Sequence, residues 1–198
     1  QIRDHAYEEI ENPVEVAVVQ PNIDPYNEKY ETSRQEQLYE MIELLDKNLK
    51  GDISYIVAPE TALSGDIQEH DINHSPTIEI VRTFLNRHPK TEFVSGMSSW
   101  RLLRKDALTS TARKFPQSDA YYDMYNAAIH VDVDGTPQIY HKSKLVQGVE
   151  RMPFASLLKP LEDFALDLGG TTGSLGSQDE SSVFQSAFSD FKVAPVIC

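Results

Sequence analysis

Apolar positions along the chain fall into short β-branched runs separated by amphipathic stretches. Val14 to Val19 (VEVAVV) predicts a buried strand, broken afterwards by Pro21, Asn22, Asp24 and Pro25. Ser33 and Glu36 have capping-box spacing, and Leu38, Met41, Ile42, Leu45 and Leu49 then recur at helical intervals with charges between them. Gly51 is placed to end that helix. Ile53 to Ala58 predicts a second buried strand running into Pro59-Glu60-Thr61. Ser75-Pro76 marks the next helix start, and Ile78, Val81, Phe84 and Leu85 give it one apolar face. Glu92 to Trp100 predicts a third strand. Strand, helix, strand, helix, strand is the alternation of an α/β fold with parallel pairing.

Beyond Trp100 the pattern changes. Arg101 to Ser118 is basic and polar and predicts a loop. Tyr121 to Val133 and Gln138 to Tyr140 predict two strands joined through Asp134-Gly135-Thr136-Pro137, a hairpin signal. Ser143 to Lys159 lacks periodicity. It predicts an irregular segment, mobile or at a rim, in which Met152, Phe154, Leu157 and Leu158 are either exposed for an apolar contact or packed into the core. Gly169 to Ser182 is rich in Gly, Ser and Thr and predicts a flexible loop. Val183 to Ala187 and Phe191 to Ile197 predict a last antiparallel pair.

At 198 residues the chain suits one domain, assigned to residues 14–198 after a polar lead-in over residues 1–13. Eighteen basic and 31 acidic residues give a net charge of −13, which disfavours binding to nucleic acid or through a polybasic membrane patch. The single cysteine excludes an internal disulfide framework and CxxC chemistry. No apolar run approaches the ~18 residues of a membrane span. Gln1 is not an initiator and Cys198 follows an apolar run directly, so the chain is expected to be a fragment of a longer protein.

Four residues are candidates for chemistry. Cys198 lies where a strand gives way, placed either for nucleophilic attack or as a small buried hydrophobe. Glu60 ends an apolar strand, at the rim where α/β folds carry their sites; it is either a general base or a solvated turn residue. Lys142 follows the strand ending at Tyr140 and either stabilises a thiolate or an oxyanion, or is a surface lysine. Glu150, by itself, reads as a loop residue. Rival motifs are poor. His70 and His74 stand in a polar, aperiodic stretch and make a weak metal pair. Asp132-Val133-Asp134-Gly135 lacks the bidentate Glu of a calcium loop, and Gly170, Gly173 and Gly176 lack the lysine of a phosphate loop.

Together these segments resemble the nitrilase superfamily of carbon–nitrogen hydrolases. Val16-Ala17-Val18-Val19-Gln20-Pro21-Asn22-Ile23 resembles its opening strand, and Ala58-Pro59-Glu60-Thr61 the segment of its glutamate base. Tyr140-His141-Lys142-Ser143-Lys144-Leu145 is similar to the segment of its lysine, and Val196-Ile197-Cys198 to the strand that delivers its cysteine. The order agrees, and so does the spacing of 142 − 60 = 82 and 198 − 142 = 56 residues. Leu145-Val146 with Glu150 and Pro153, and Tyr125-Asn126-Ala127, resemble segments of the apolipoprotein N-acyltransferase branch. Gln147-Gly148-Val149 departs from that branch's Pro-Phe-Gly. Tyr30 stands near where it often carries a tryptophan.

The resemblance implies an α/β fold, the nitrilase-like α-β-β-α sandwich, incomplete at its C-terminal end. It implies a base Glu60, an oxyanion-stabilising Lys142, a nucleophile Cys198 and a supporting Glu150, with Tyr30 and Asn126 on the substrate. A phospholipid is the implied acyl donor and a lipoprotein's lipidated N-terminal cysteine the acceptor; no metal or organic cofactor is implied. The implied location is the periplasmic side of a bacterial inner membrane, held by flanking helices outside this chain. A chain ending at its nucleophile lacks the next backbone N–H for an oxyanion and is expected to be inactive. Two other readings remain: a soluble amidase or nitrilase of the same superfamily, and a non-catalytic domain that binds lipid or protein.

Overall fold

A computed structural model of the chain describes residues 12–22, 33–148, 150–151 and 174–197, with the side chains of Ser64 and Asp66 excepted. Tyr30, Val149, Met152, Phe154, Leu157, Leu158 and Cys198, for which the sequence carries expectations, lie outside the described residues.

Strand β1 spans Val16–Val18, helix α1 Arg34–Asn48, β2 Tyr55–Val57 and β3 Leu63–Gln68. A 3-10 helix at Glu69–His74 leads to helix α2 at Pro76–Leu85. Then follow β4 Glu92–Leu103, β5 Arg113–Lys114, β6 Tyr121–Val131, β7 Gln138–His141, β8 Phe184–Gln185 and β9 Lys192–Val193. Seven strands form one mixed sheet in the order β1-β2-β4-β6-β5, with β3 also on β4 and β7 also on β6. The β1/β2, β2/β4 and β3/β4 pairs are parallel; the pairs made by β6 are antiparallel. β8 and β9 form a separate antiparallel pair.

The helices form as their spacing predicts. Ser33 and Glu36 exchange side-chain and backbone hydrogen bonds in a closed capping box, and Leu38, Met41, Ile42 and Leu45 face inward from α1. Pro76 takes the first turn of α2, whose Ile78, Val81, Phe84 and Leu85 are buried. These stripes pack on one face of the sheet against Ile56, Phe93, Met97 and Ile129. The other face carries a smaller cluster, in which Tyr55, Val94, Ala128 and Tyr140 meet Phe184 of β8, with Val193 and Ile197 packed against it. Helix, sheet and second β layer are thus stacked, with the main core between the helices and the sheet.

Several expectations need correction. Val14–Val19 is not buried throughout: among the described residues β1 pairs only with β2, and Val19 is buried while Val16 and Val18 are 48% and 75% exposed. The Arg101–Ser118 stretch is not all loop, because β6 pairs with β4 as far as Leu103 and with β5 at Arg113–Lys114. Gly51 does not cap α1 directly; Leu49 is the extended cap residue, and Gly51 takes a left-handed φ of 82° two residues on. The hairpin before β7 is closed by Asp132, whose carboxylate accepts the backbone N–H groups of Asp134 and Gly135. Among the described residues no helix is long and apolar enough to cross a membrane.

Candidate functional site

Glu60 stands in the turn between β2 and β3, two strands that share one edge of β4. β2 pairs with Glu92–Val94 and β3 begins pairing at Met97. The turn crosses β4 between them. Ala58 N–H donates to Val94 O at 2.8 Å, and Gly96 N–H donates to Pro59 O at 3.1 Å. A Cβ on residue 96 would stand 2.6 Å from Glu60 Cα and 2.6 Å from Thr61 N, so only glycine lets the Glu60 backbone lie this close. Thr61, next to Glu60, holds φ 57°. A β-branched residue in that region is strained, which marks the turn as held by its surroundings.

Lys142 directly follows β7, and its backbone N–H continues the ladder to Asn126 O at 2.9 Å. Its residue is 2% exposed. The ammonium reaches Glu150 Oε1 and Oε2 at 3.0 Å each and Glu60 Oε1 at 3.6 Å. Glu150 is nearly buried, whereas 42% of the Glu60 side chain is exposed and open to a reactant. Asn126, on the sheet face shared with Ala128 and His130, lies between the carboxylates: Nδ2 donates to Glu60 Oε1 at 2.8 Å and to Glu150 Oε1 at 2.7 Å. Two carboxylate acceptors fix which end of the amide points at them.

The Glu150 loop is tied down in turn. Glu150 Oε2 accepts Val146 N–H at 2.7 Å, and Leu175 N–H donates to Glu150 O at 2.9 Å. Gly176 N–H donates to Met124 O on β6 at 2.8 Å, and the Tyr125 ring fills the space where a Cβ of residue 176 would go. The Gly/Ser/Thr-rich stretch, where described, therefore props the site loop against β6. Burial pushes the Glu150 carboxyl up, but hydrogen bonds from Val146, Asn126 and Lys142 and the lysine charge outweigh it and hold the group below its ordinary value.

A second buried polar network adjoins the first. His141 Nε2 lies 2.6 Å from Glu69 Oε1, which also accepts Ser99 Oγ at 2.7 Å, and Arg101 Nε donates to Glu69 Oε2 at 3.2 Å. The His141 ring stacks on Tyr125 at 3.8 Å. This network holds Tyr125 and His141, the residues that precede Asn126 and Lys142. Glu69 and His141 were not legible in the sequence, since 72 residues separate them and neither has a local signal.

The structure thus gathers Glu60, Asn126, Lys142 and Glu150 at one point, by way of a strand-crossing turn, two adjacent strands and a tethered loop. His70 and His74 go elsewhere: His74 bonds Asp71 at 2.7 Å and His70 sits edge-on to Trp100. Among the described residues no group of three or more His, Cys, Asp or Glu could hold a metal.

A mixed α/β sheet with a glutamate in the strand-crossing turn and a lysine after β7 accords with one class. The chain belongs to the carbon–nitrogen hydrolase family, whose sequence signature matches residues 15–198. Among individual proteins it is similar to the apolipoprotein N-acyltransferase of Chlorobaculum tepidum, at 27% identity over 201 residues. That match covers 99% of this chain and 37% of the relative, so the chain spans just over a third of its relative's length. Similar solved structures include a CN-hydrolase superfamily protein of Xanthomonas campestris with an arsenic adduct in its active site. Its TM-score is 0.48 at 15% identity, over 87% of this chain and 49% of that one. Another is the glutamine-dependent NAD+ synthetase of Acinetobacter baumannii in complex with ADP. Its TM-score is 0.43 at 15% identity, over 90% of this chain and 27% of that one.

Proposed function

We propose that the chain is the catalytic domain of an acyltransferase that moves a fatty acyl group from a phospholipid to the N-terminal amine of a lipoprotein's lipidated cysteine. The observation that carries this reading is the buried Lys142 ammonium between Glu60 and Glu150, with Asn126 bonded to both carboxylates. Glu60 is the base. It is the more exposed carboxylate, able to meet the thiol of Cys198, which is mostly protonated at neutral pH with an ordinary pKa of about 8.5.

Glu60 takes the thiol proton as Cys198 sulfur attacks the donor's ester carbonyl. Negative charge develops on the carbonyl oxygen, and Lys142 stabilises it from a site shielded from water. Collapse breaks the ester C–O bond. Protonated Glu60 returns the proton to the leaving oxygen, a lysophospholipid departs and a thioester remains. The lipoprotein amine then attacks the thioester and gives its proton to Glu60; the C–S bond breaks, Glu60 passes the proton to the departing sulfur, and an amide and the free thiol result. Glu150 holds Lys142 in place and keeps it charged. Asn126 orients both carboxylates. Tyr30 contacts the acyl chain. The chemistry calls for no metal or organic cofactor, and the domain works at the periplasmic face of a bacterial inner membrane, held by flanking segments of the protein.

The test is phospholipid-dependent N-acylation of a diacylated lipopeptide by the full-length protein. Activity lost in Cys198→Ser, Glu60→Gln and Lys142→Met supports the reading. Hydrolysis of a small amide or nitrile without acyl transfer points to an amidase instead. Lipopeptide or lipid binding with no turnover leaves only a binding domain.

A further inference from the structure

β4 and β6 pair without a break from Phe93↔Val131 out to Leu103↔Tyr121. The strands beside them stop earlier: β3 ends at Trp100 on β4, and β7 reaches only Ala127 on β6. Beyond Trp100 and Met124 the pair therefore forms a ribbon whose one further strand partner among the described residues is short β5. Its two faces differ. The face that bears Ser98 and Asn126 continues outward as Trp100 opposite Met124 and Leu102 opposite Tyr122, by the two-residue alternation of a strand. Phe115 closes on it, 4.4 Å from the Tyr122 ring and 5.8 Å from Trp100. Leu102 is 41% exposed and Leu108, at the tip, 44%.

The ribbon's charge is opposite to that of the rest of the chain. Residues 100–124, which make up the ribbon, hold five basic side chains (Arg101, Arg104, Lys105, Arg113, Lys114) and three acidic ones (Asp106, Asp119, Asp123), a net of +2. The other 173 residues carry 13 basic and 28 acidic ones, a net of −15. Arg104 and Lys105 are well exposed, although Arg104 is paired with Asp106, and Lys105 and Lys114 share Asp119.

We propose that this ribbon is the surface by which the domain rests on a phospholipid bilayer with anionic headgroups. Tryptophan and tyrosine beside exposed leucines suit the boundary between headgroups and acyl chains. A basic tip on an otherwise strongly acidic chain allows an anionic surface to be approached at this one end and repelled elsewhere. The contact face is continuous with the site. Asn126 is four residues from Tyr122 along β6, about 14 Å at the usual rise per residue. The inference deepens the acyl-transfer reading by naming the surface that presents the donor, and rests on that reading for its purpose and not for its geometry.

Trp100 is the chain's single tryptophan and stands on the proposed contact face, so it reports directly. The chain is titrated with phosphatidylglycerol vesicles at low salt, with and without bromine on the acyl chains, and with phosphatidylcholine vesicles as control. Expected are a blue-shifted Trp100 emission, quenching by the brominated lipid, and at least fivefold weaker binding to phosphatidylcholine. The surface double variants Arg104→Glu/Lys105→Glu and Leu102→Ser/Leu108→Ser, checked for an unchanged circular dichroism spectrum, should each weaken binding to phosphatidylglycerol at least fivefold. No binding, binding without quenching, or binding that both variants leave intact overturns the proposal; a protein partner for the ribbon becomes the better account if Trp100 stays dry-shifted but indifferent to lipid. No step depends on turnover. Lipid contact without acyl transfer leaves this inference standing and sinks the catalytic reading, and acyl transfer without Trp100 quenching does the reverse.

Discussion

Gly96 lies directly beneath Glu60, close enough that a single added methyl group would meet the glutamate's Cα at 2.6 Å and its carbonyl carbon at 2.9 Å. The atoms in the way are backbone, which cannot swing aside as a side chain would. Gly96→Ala should therefore push the Glu60 turn off β4, at a cost of about 1–3 kcal/mol in stability from overpacking. Displacing the carboxylate by even 1 Å should lower the turnover number by about a hundredfold. Thermal denaturation and acyl-transfer rates of the full-length variant check both.

Lys142 and Glu150 should be coupled in stability, and loss of Lys142 should abolish activity whatever stands at position 150. Lys142→Met leaves the nearly buried Glu150 carboxylate without its cation and should destabilise by about 3–5 kcal/mol. Adding Glu150→Gln removes that uncompensated charge and should restore part of the loss. Activity should fall by a hundredfold or more in Lys142→Met and stay lost in the double variant, since the oxyanion partner is still missing. A double-mutant cycle by denaturant unfolding measures the coupling.

Asn126→Asp should be worse than Asn126→Ala. The aspartate replaces two hydrogen-bond donations, at 2.8 and 2.7 Å, with a third negative charge facing Glu60 and Glu150. It should cut activity by more than tenfold beyond the alanine variant, read as turnover at saturating donor.

Acid should destabilise the fold through three carboxylates. Glu69, Glu92 and Glu150 each feel burial that pushes the carboxyl up. Each is held below its ordinary 4.5 by hydrogen bonds and charge: from His141, Ser99 and Arg101 for Glu69; from His130, Ala187 and Ser186 for Glu92; and from Val146, Asn126 and Lys142 for Glu150. A depressed folded-state value adds stability that is fully present above 4.5 and is lost as pH falls through the folded values. Melting temperature should be level above about pH 5 and fall below about pH 4.5. Glu69→Gln should lower it at pH 7 and shallow the acid slope.

Much of the fold was legible because local pattern and tertiary fate agree. Leu38, Met41, Ile42 and Leu45 repeat at helical spacing and are buried together, and Ile56, Phe93 and Ile129 belong to β-branched or aromatic runs that fill the core. β3 was missed because Leu63 to Gln68 is polar, contains Gly65 at φ 143°, and shifts register on β4 between Leu63 and Ile67, so no alternation survives. The end of β4 at Arg101–Leu103 and the short β5 at Arg113–Lys114 were read as loop because basic and polar residues mask strand segments held by pairing with β6. At the site, Glu60 and Lys142 were legible from strand ends and from resemblance. The donations of Asn126, the Glu69–His141 contact and the fit of Gly96 under Glu60 were not, since each arises only when residues 24 to 72 positions apart are brought together.

The most direct test of the account is to look for the acyl-enzyme. Full-length protein is mixed with phosphatidylglycerol or phosphatidylethanolamine of defined acyl chains, without acceptor, and its intact mass is recorded. The account predicts a mass increase of one acyl group, located on Cys198, discharged by neutral hydroxylamine and by a diacylated lipopeptide. The adduct should be absent in Cys198→Ser and at least a hundredfold slower to form in Glu60→Gln. An adduct on another residue, or one that forms at the same rate without the Glu60 carboxylate, would contradict it.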